Sequence, residues 1–205
     1  MILSYNLRTP GRQTMRLTTR LLAFVFATLL LSPRPTRAQS DWKLELFSDS
    51  QLSSCAVNVT SPGLFQIHIV HTGSGESFVV GFALYPPACM TGFWAGDRFD
   101  TQNLILGSSQ DNVGVGISYR GCVALPVYLG YVQFYATTPS EACCEFRASD
   151  PSSEAFRLEG GNCEDFTAVP IESGRVILNP TLNCPCESPV AVQSTTWGGV
   201  KALYR

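Results

Sequence analysis

The sequence contains few charged side chains and almost no histidine. Charged residues make up 15% of its 205 residues, and His68 and His71 are its only histidines. In a predicted strand, residues three apart point to opposite faces, so these two cannot share one metal ion. The sequence also lacks Gly-x-Ser-x-Gly and His-Glu-x-x-His motifs, the marks of serine hydrolases and zinc proteases. We therefore predict a non-enzyme without a cofactor.

The N-terminal apolar run is too short to span a membrane. It extends from Leu21 to Leu31, about half of the roughly 20 residues that a spanning helix needs. Four arginines without an acidic residue precede it, and a short polar segment that ends at Ala38 follows it. This order is typical of a secretory signal peptide, here residues 1–38, with either Met1 or Met15 as the start. We expect secretion to the extracellular space, the periplasm or the cell surface, and no membrane span in the mature chain.

Basic residues are scarce in the predicted mature chain. Six of the 14 Lys and Arg residues fall within residues 1–38, which contain no Asp or Glu, so eight basic residues face 16 acidic ones and the net charge is −8. Such a surface repels phosphate backbones. Nucleic acid is therefore excluded as a partner.

Cysteine, in contrast, is plentiful. An even number of cysteines in an exported chain is typical of disulfides. The one-residue spacing of Cys184 and Cys186 does not fit a zinc site. Neighbouring residues of a strand point to opposite faces, so we expect Cys143 and Cys144 to have different partners. We further expect Cys89 to pair with Cys122, and Cys143 or Cys144 to pair with Cys163. The predicted disulfide cysteines are Cys55, Cys89, Cys122, Cys143, Cys144, Cys163, Cys184 and Cys186.

Short runs of β-branched and aromatic residues recur between turn signals, without a long helical period. The uncharged stretch Val123–Ala136 is apolar on both faces, which predicts a central strand with cover on both sides. Leu64–His71 and Ser77–Tyr85 flank a glycine-containing loop and predict a hairpin. We count about nine to ten short strands, which indicates an all-β antiparallel sandwich stapled by disulfides over residues 39–188.

A predicted loop from Phe93 to Phe99 contains three aromatic residues. Phe93, Trp94 and Phe99 are candidates for a sugar- or peptide-binding platform, because aromatic rings stack well and stay amphipathic. The alternative is that these rings plug one end of the sandwich.

Oxygen ligands cluster in the same region of the sequence. Asp97, Asp100, Asp111 and Asn112 lie in neighbouring predicted loops, where carboxylates and amides hold Ca²⁺ in exported sandwiches. Their spacing is not that of an EF-hand, and Asp and Asn also favour turns for purely structural reasons. Both interpretations stay open from the sequence.

The C-terminal residues 189–205 form a predicted linker and a short docking tail. The ending Thr195-Thr-Trp-Gly-Gly-Val-Lys-Ala-Leu-Tyr-Arg205 resembles that of uncharacterised secreted bacterial proteins with cysteine-rich β modules. The resemblance implies a bacterial exoprotein with a tail that docks a partner or directs sorting. It implies no activity and no site residues.

Taken together, these features favour a secreted, non-catalytic binding or structural module. Its partner would be an extracellular protein or a glycan. A carbohydrate-binding module that uses the Phe93–Phe99 loop is the first alternative, and a small secreted hydrolase is the second.

Overall fold

The structure, a computed structural model, describes residues 41–153 and 155–186. The predicted signal peptide and docking tail lie outside the described residues. Within those residues no helix is present, and so none that could cross a membrane.

The described residues form thirteen β-strands, several of them only two to four residues long. Because the short strands carry little periodicity, the sequence predicts only about nine to ten. In chain order the strands are β1 Lys43–Phe47, β2 Ala56–Val57, β3 Gly63–Thr72, β4 Glu76–Phe82, β5 Gly92–Phe99, β6 Leu104–Gly107, β7 Val115–Ala124, β8 Val127–Ala136, β9 Cys144–Arg147, β10 Glu159–Asn162, β11 Ala168–Pro170, β12 Glu172–Ser173 and β13 Arg175–Leu178.

The strands are arranged in three sheets that enclose one core. The first sheet has the order β12-β1-β3-β8-β5, the second β11-β10-β4-β7-β6, and the third β2-β13-β9. An isolated bridge between Ala83 and Ser149 joins the chain after β4 to the chain after β9. Most neighbours are antiparallel; β1 pairs with β12, and β13 with β2, in parallel. The predicted all-β sandwich is confirmed.

Alternating apolar residues of the strands fill the space between the sheets. Burying them removes apolar surface from water, which supplies most of the driving force for folding. Phe134 of the first sheet meets Phe146 of the third with ring centroids 4.7 Å apart. The largest fully buried side chains are Phe82, Phe134, Phe146, Leu44, Leu46, Ile67, Ile69, Leu84, Ile117, Leu129, Ile177 and Leu178.

The strand β8 lies between β3 and β5 in the first sheet, yet only one of its faces is covered. Val132 and Phe134 are fully buried, whereas Tyr131, Gln133 and Tyr135 on the opposite face are only partly buried. The prediction of cover on both faces is therefore wrong. Aromatic side chains count as core residues in a sequence pattern, and here they line an open face instead.

The predicted hairpin of β3 and β4 is also absent. Both strands exist, but β3 belongs to the first sheet and β4 to the second, so the turn between them crosses the sandwich. The strand β1 has β3 on one side and the short β12 on the other. Strand patterns show which residues are extended, but pairing depends on contacts between distant segments.

All eight cysteines form disulfides: Cys55–Cys186, Cys89–Cys144, Cys122–Cys163 and Cys143–Cys184. The expectation that Cys143 and Cys144 have different partners is confirmed. The expected pairings of Cys89 with Cys122, and of Cys143 or Cys144 with Cys163, are wrong, because Cys122 at the end of β7 lies beside Cys163, which follows β10.

Candidate binding face

The outward side of the first sheet carries aromatic and amide side chains on three adjacent strands. Strand residues alternate between faces, so burial of Ile67 and Phe134 in the core directs their neighbours outward. We call this surface the outer aromatic face, and it consists of Leu64, Gln66 and His68 of β3, Tyr128, Tyr131, Gln133 and Tyr135 of β8, and Phe93 of β5.

One end of the outer aromatic face is an apolar row that crosses the three strands. Tyr135 is in register with Leu64 on one side and with Phe93 on the other. The rings of Phe93 and Tyr135 stack with centroids 5.4 Å apart and an interplanar angle of 27°. Leu64 is 63% exposed and Phe93 is 55% exposed. Large apolar side chains left open in one contiguous row are typical of an interaction site.

The next row consists of two amides. Gln66 and Gln133 face each other in register, and Gln133 pairs on its other side with Gly96, which has no side chain. Neither amide takes part in a hydrogen bond with another described residue. Each amide therefore offers a free acceptor and two free donors.

The other end of the face is a cluster of His68 with two tyrosines. His68 Nδ1 lies 2.8 Å from the hydroxyl oxygen of Tyr128, and its ring centroid lies 5.2 Å from that of Tyr131. Burial lowers the pKa of His68 from its ordinary value, and the carboxylate of Asp49 opposes that shift. Burial and the neighbouring Tyr131 raise the pKa of Tyr128. This cluster is consequently uncharged near neutral pH.

The two ends of the face are separated along β8. Tyr135 is four positions after Tyr131, which at the rise of a strand is roughly 13 Å. Arg98 on β5 is in register with Tyr131, and its guanidinium lies beside Gly96. Along β8, the outer aromatic face thus has aromatic side chains at both ends and the amides of Gln66 and Gln133 between them.

The three aromatic residues predicted from the sequence do not form one platform. Residues Gly92–Phe99 form strand β5, not a loop, because a bulge between Trp94 and Gly96 interrupts the alternation that would have revealed the strand. Phe93 belongs to the outer aromatic face. Phe99 is partly buried and packs edge-on against Phe82 of the core at a centroid distance of 6.1 Å.

Trp94 takes a third position, at the edge of the first sheet. Its indole nitrogen donates a hydrogen bond of 2.9 Å to Asp97 Oδ1.

Sequence reasoning missed Tyr128, Tyr131 and Tyr135 as site residues. The one signal that indicates exposure is the polar Gln133 between two tyrosines on the same face.

The predicted calcium ligands have protein partners in this structure. Asp97 accepts hydrogen bonds from the backbone nitrogen of Ser109 at 2.9 Å and from its hydroxyl at 2.6 Å, in addition to the bond from Trp94. The carboxylate of Asp100 accepts one from the backbone of Gln102 at 2.9 Å, which is a turn interaction.

The other two predicted calcium ligands, Asp111 and Asn112, accept hydrogen bonds through their backbone carbonyls, from Tyr85 and Ser153 respectively. Among the described His, Cys, Asp and Glu residues, three potential ligand atoms converge only at Glu76, Cys122 and Cys163. Both of those sulfurs are in a disulfide. Calcium binding by the four predicted residues stays a prediction.

A concave surface lies on the second sheet. It is a groove of about 220 Å³ whose lining includes Phe78, Gly161 and Phe166. The rings of Phe78 and Phe166 lie 5.7 Å apart, and Phe166 is 74% exposed. A Cβ atom at Gly161 would lie about 2.5 Å from the Phe78 ring, so glycine is needed there for the ring to approach the sheet.

The sequence matches no protein-family model and no curated protein. By structure, the chain is similar to a cohesin module of a family 33 glycoside hydrolase from Clostridium perfringens, with 12% identity, a TM-score of 0.39, and 69% of this chain and 99% of that chain covered. It is similar to a chain of the CaDoc0917–CaCohA2 complex, with 9% identity, a TM-score of 0.44, and coverages of 67% and 99%.

A third similar structure is the sixth cohesin of Acetivibrio cellulolyticus scaffoldin B in complex with the Cel5 dockerin. Identity is 13%, the TM-score is 0.34, and 68% of this chain and 99% of that chain are covered. At these identities and TM-scores, the matches identify neither a family nor a partner for this chain.

Proposed function

We propose that the chain is an exported, non-catalytic binding module that holds its ligand on the outer aromatic face. The observation that carries this proposal is the row of Leu64, Tyr135 and Phe93, which is open to solvent beside the unpartnered amides of Gln66 and Gln133. An exposed apolar row costs free energy in a solitary domain. A ligand that covers it recovers that free energy.

The disulfides support export. Four disulfides join cysteines that are 41 to 131 residues apart in sequence. Disulfides of this number form and persist in oxidising compartments. They also crosslink the strands covalently, so that the fold does not need a bound partner protein to hold it together. This suits a module that works outside the cell.

The surroundings of both histidines support a binding role over a catalytic one. A histidine that acts as general base is hydrogen-bonded to a nucleophile and is oriented by a third group. Here His68 Nδ1 is bonded to the hydroxyl of Tyr128, and His71 Nδ1 to that of Tyr119. His71 is fully buried, so substrate has no access to it.

The test is a depletion assay on the full mature chain, residues 39–205. The protein is incubated with separate suspensions of insoluble polysaccharides, bacterial envelopes and bead-bound extracellular proteins, and the unbound fraction is measured. We compare the wild type with a Phe93→Ala/Tyr135→Ala double variant. Phe166→Ala is the control, because it removes a more exposed phenylalanine from the second sheet.

We expect the wild type and Phe166→Ala to be depleted by at least one material, and the double variant to remain in solution. Circular dichroism and melting temperature show that all three proteins are folded. Equal depletion of the double variant and the wild type, or no depletion by any material, would overturn the proposal.

A further inference from the structure

The chemistry of the outer aromatic face indicates which class of ligand it binds. We infer that the ligand is an uncharged polysaccharide whose chain runs along β8, with sugar rings on Tyr135 and Tyr131 and hydroxyls on Gln66 and Gln133. This inference rests on the proposed function and adds the ligand class to it.

The order of side chains along the face argues for a sugar over a protein. The centre of a protein–protein interface is usually apolar and fully desolvated, with polar groups at the rim. Here the polar groups are central, because Gln66 and Gln133 lie between the row of Tyr135 and the cluster of Tyr131. An apolar protein side chain over those amides would leave their donors and acceptors without partners, which costs binding energy.

A sugar chain satisfies the centre and the two ends at once. A pyranose ring has C–H groups on its faces and hydroxyls around its edge. Phe93, Tyr135 and Tyr131 offer flat aromatic surface for the C–H groups. The two amides offer donors and acceptors for the hydroxyls.

The charges around the face argue for a neutral chain. None of the eight residues of the face is an acid, a lysine or an arginine. One cation, Arg98, lies on β5 in register with Tyr131, with its guanidinium beside Gly96, and one anion, Asp49, lies near His68. The mature chain has a net charge of −8, so its overall field repels polyanions.

Affinity electrophoresis of the full mature chain tests this ligand class. Native gels contain soluble neutral polysaccharides (mixed-linkage β-glucan, xyloglucan, galactomannan, xylan or dextran) or polyanions (polygalacturonate, alginate or heparin). The variants are Tyr135→Ala and Gln133→Leu. Their controls are Phe166→Ala and Asn183→Leu, which make comparable changes at exposed positions outside the face.

We expect at least one neutral polysaccharide to retard the wild type and both controls. Tyr135→Ala and Gln133→Leu should each weaken that retardation about tenfold or more, because each loses a contact to the ligand. Gln133→Leu separates the ligand classes. It removes hydroxyl recognition from a glycan site, whereas it leaves a site for apolar protein side chains intact or stronger.

The two proposals fail in different ways. In one outcome, the depletion assay shows binding through the face. Protease treatment of the bound material abolishes this binding, whereas periodate oxidation of the material leaves it unchanged. That result would overturn the glycan assignment and leave the binding module standing. Stronger retardation by a polyanion than by every neutral polysaccharide would overturn it too. Absence of any face-dependent binding would overturn both.

Discussion

The Nδ1 atom of His71 lies 3.0 Å from the hydroxyl oxygen of Tyr119, across the interior between the first and second sheets. Both side chains are buried, and Trp42 meets the imidazole edge-on with centroids 5.2 Å apart. His71 Nε2 has no hydrogen-bond partner among the described residues. Burial lowers the pKa of His71 to about 4, because a charged imidazolium would lose its hydration there.

This buried imidazole makes the folded protein sensitive to acid. In the unfolded chain the pKa of His71 is about 6.5, so between that value and about 4 the unfolded chain binds a proton that the folded chain does not. The stabilisation is fully present above pH 6.5 and is lost as the pH falls towards 4. The pKa difference corresponds to about 3 kcal/mol of unfolding free energy.

Urea unfolding at pH 7.5 and 4.5 measures this loss. We expect His71→Gln to show a smaller difference between the two pH values than the wild type, by about 2.5 kcal/mol. His68→Gln is the control; it changes the other histidine, which lies on the outer aromatic face, and should alter the difference less. Equal pH dependence in His71→Gln and the wild type would contradict the prediction.

A second prediction concerns Gly130, where the register of β8 with β3 shifts and the φ angle is +129°. A Cβ atom at this position would collide with the carbonyl oxygen of Arg98 and would lie 2.7 Å from the Cα atom of Phe99. Both are backbone atoms of β5, so rotation of a side chain cannot relieve the clash. We expect Gly130→Ala to lower the unfolding free energy by about 3 kcal/mol or more.

The matched control is Gly121→Ala in β7, where a Cβ atom would meet nothing within 4 Å. We expect Gly121→Ala to change the unfolding free energy, measured by urea unfolding, by no more than about 1 kcal/mol. Comparable losses in the two variants would show that the close approach of β5 at Gly130 is not what requires glycine.

Residue patterns predicted the strands better than their pairing. Val115, Ile117 and Tyr119 alternate in the sequence and are buried together in β7, because alternation directly reflects one buried face. The partner of a strand is not encoded in that period. The strands β3 and β4 each have one buried face, and the connection between them is short. These features suit both a hairpin and a crossing between sheets.

The candidate site was harder to predict than the fold, for two physical reasons. Tyr131 and Tyr135 have enough apolar surface to pass for core residues, and only Gln133 between them marks the face as open. On β5, the bulge before Gly96 breaks the alternation, so that Phe93 and Phe99 look like neighbours in a loop. In the structure, Phe93 lies outside and Phe99 packs on the core.

A third prediction uses two disulfides that close chain segments of equal length. Cys122–Cys163 and Cys143–Cys184 each join residues 41 apart in sequence. The restriction that such a crosslink places on the unfolded chain is worth about 4 kcal/mol. Replacing either pair by alanines should therefore lower the unfolding free energy by similar amounts, within about 1 kcal/mol of each other in urea unfolding. A much larger loss for one pair would show that strand contacts, not chain entropy, dominate its contribution.

The last prediction separates the two interpretations of Asp97. The structure gives its carboxylate three protein donors, the backbone and hydroxyl of Ser109 and the indole of Trp94. Asp97→Asn keeps the shape but removes the charge and presents an NH₂ group to one of these donors. We expect it to lower the unfolding free energy by about 1–3 kcal/mol, and to do so equally in a chelator and in millimolar calcium.

The matched control for this variant is Asp100→Asn, because Asp100 has a single backbone donor at a turn. It should cost less than Asp97→Asn in both solutions. Calcium could instead raise the melting temperature of the wild type, while Asp97→Asn leaves the unfolding free energy in the chelator unchanged. That result would show that the carboxylate binds the ion. The hydrogen bonds to Ser109 and Trp94 would then contribute little to stability.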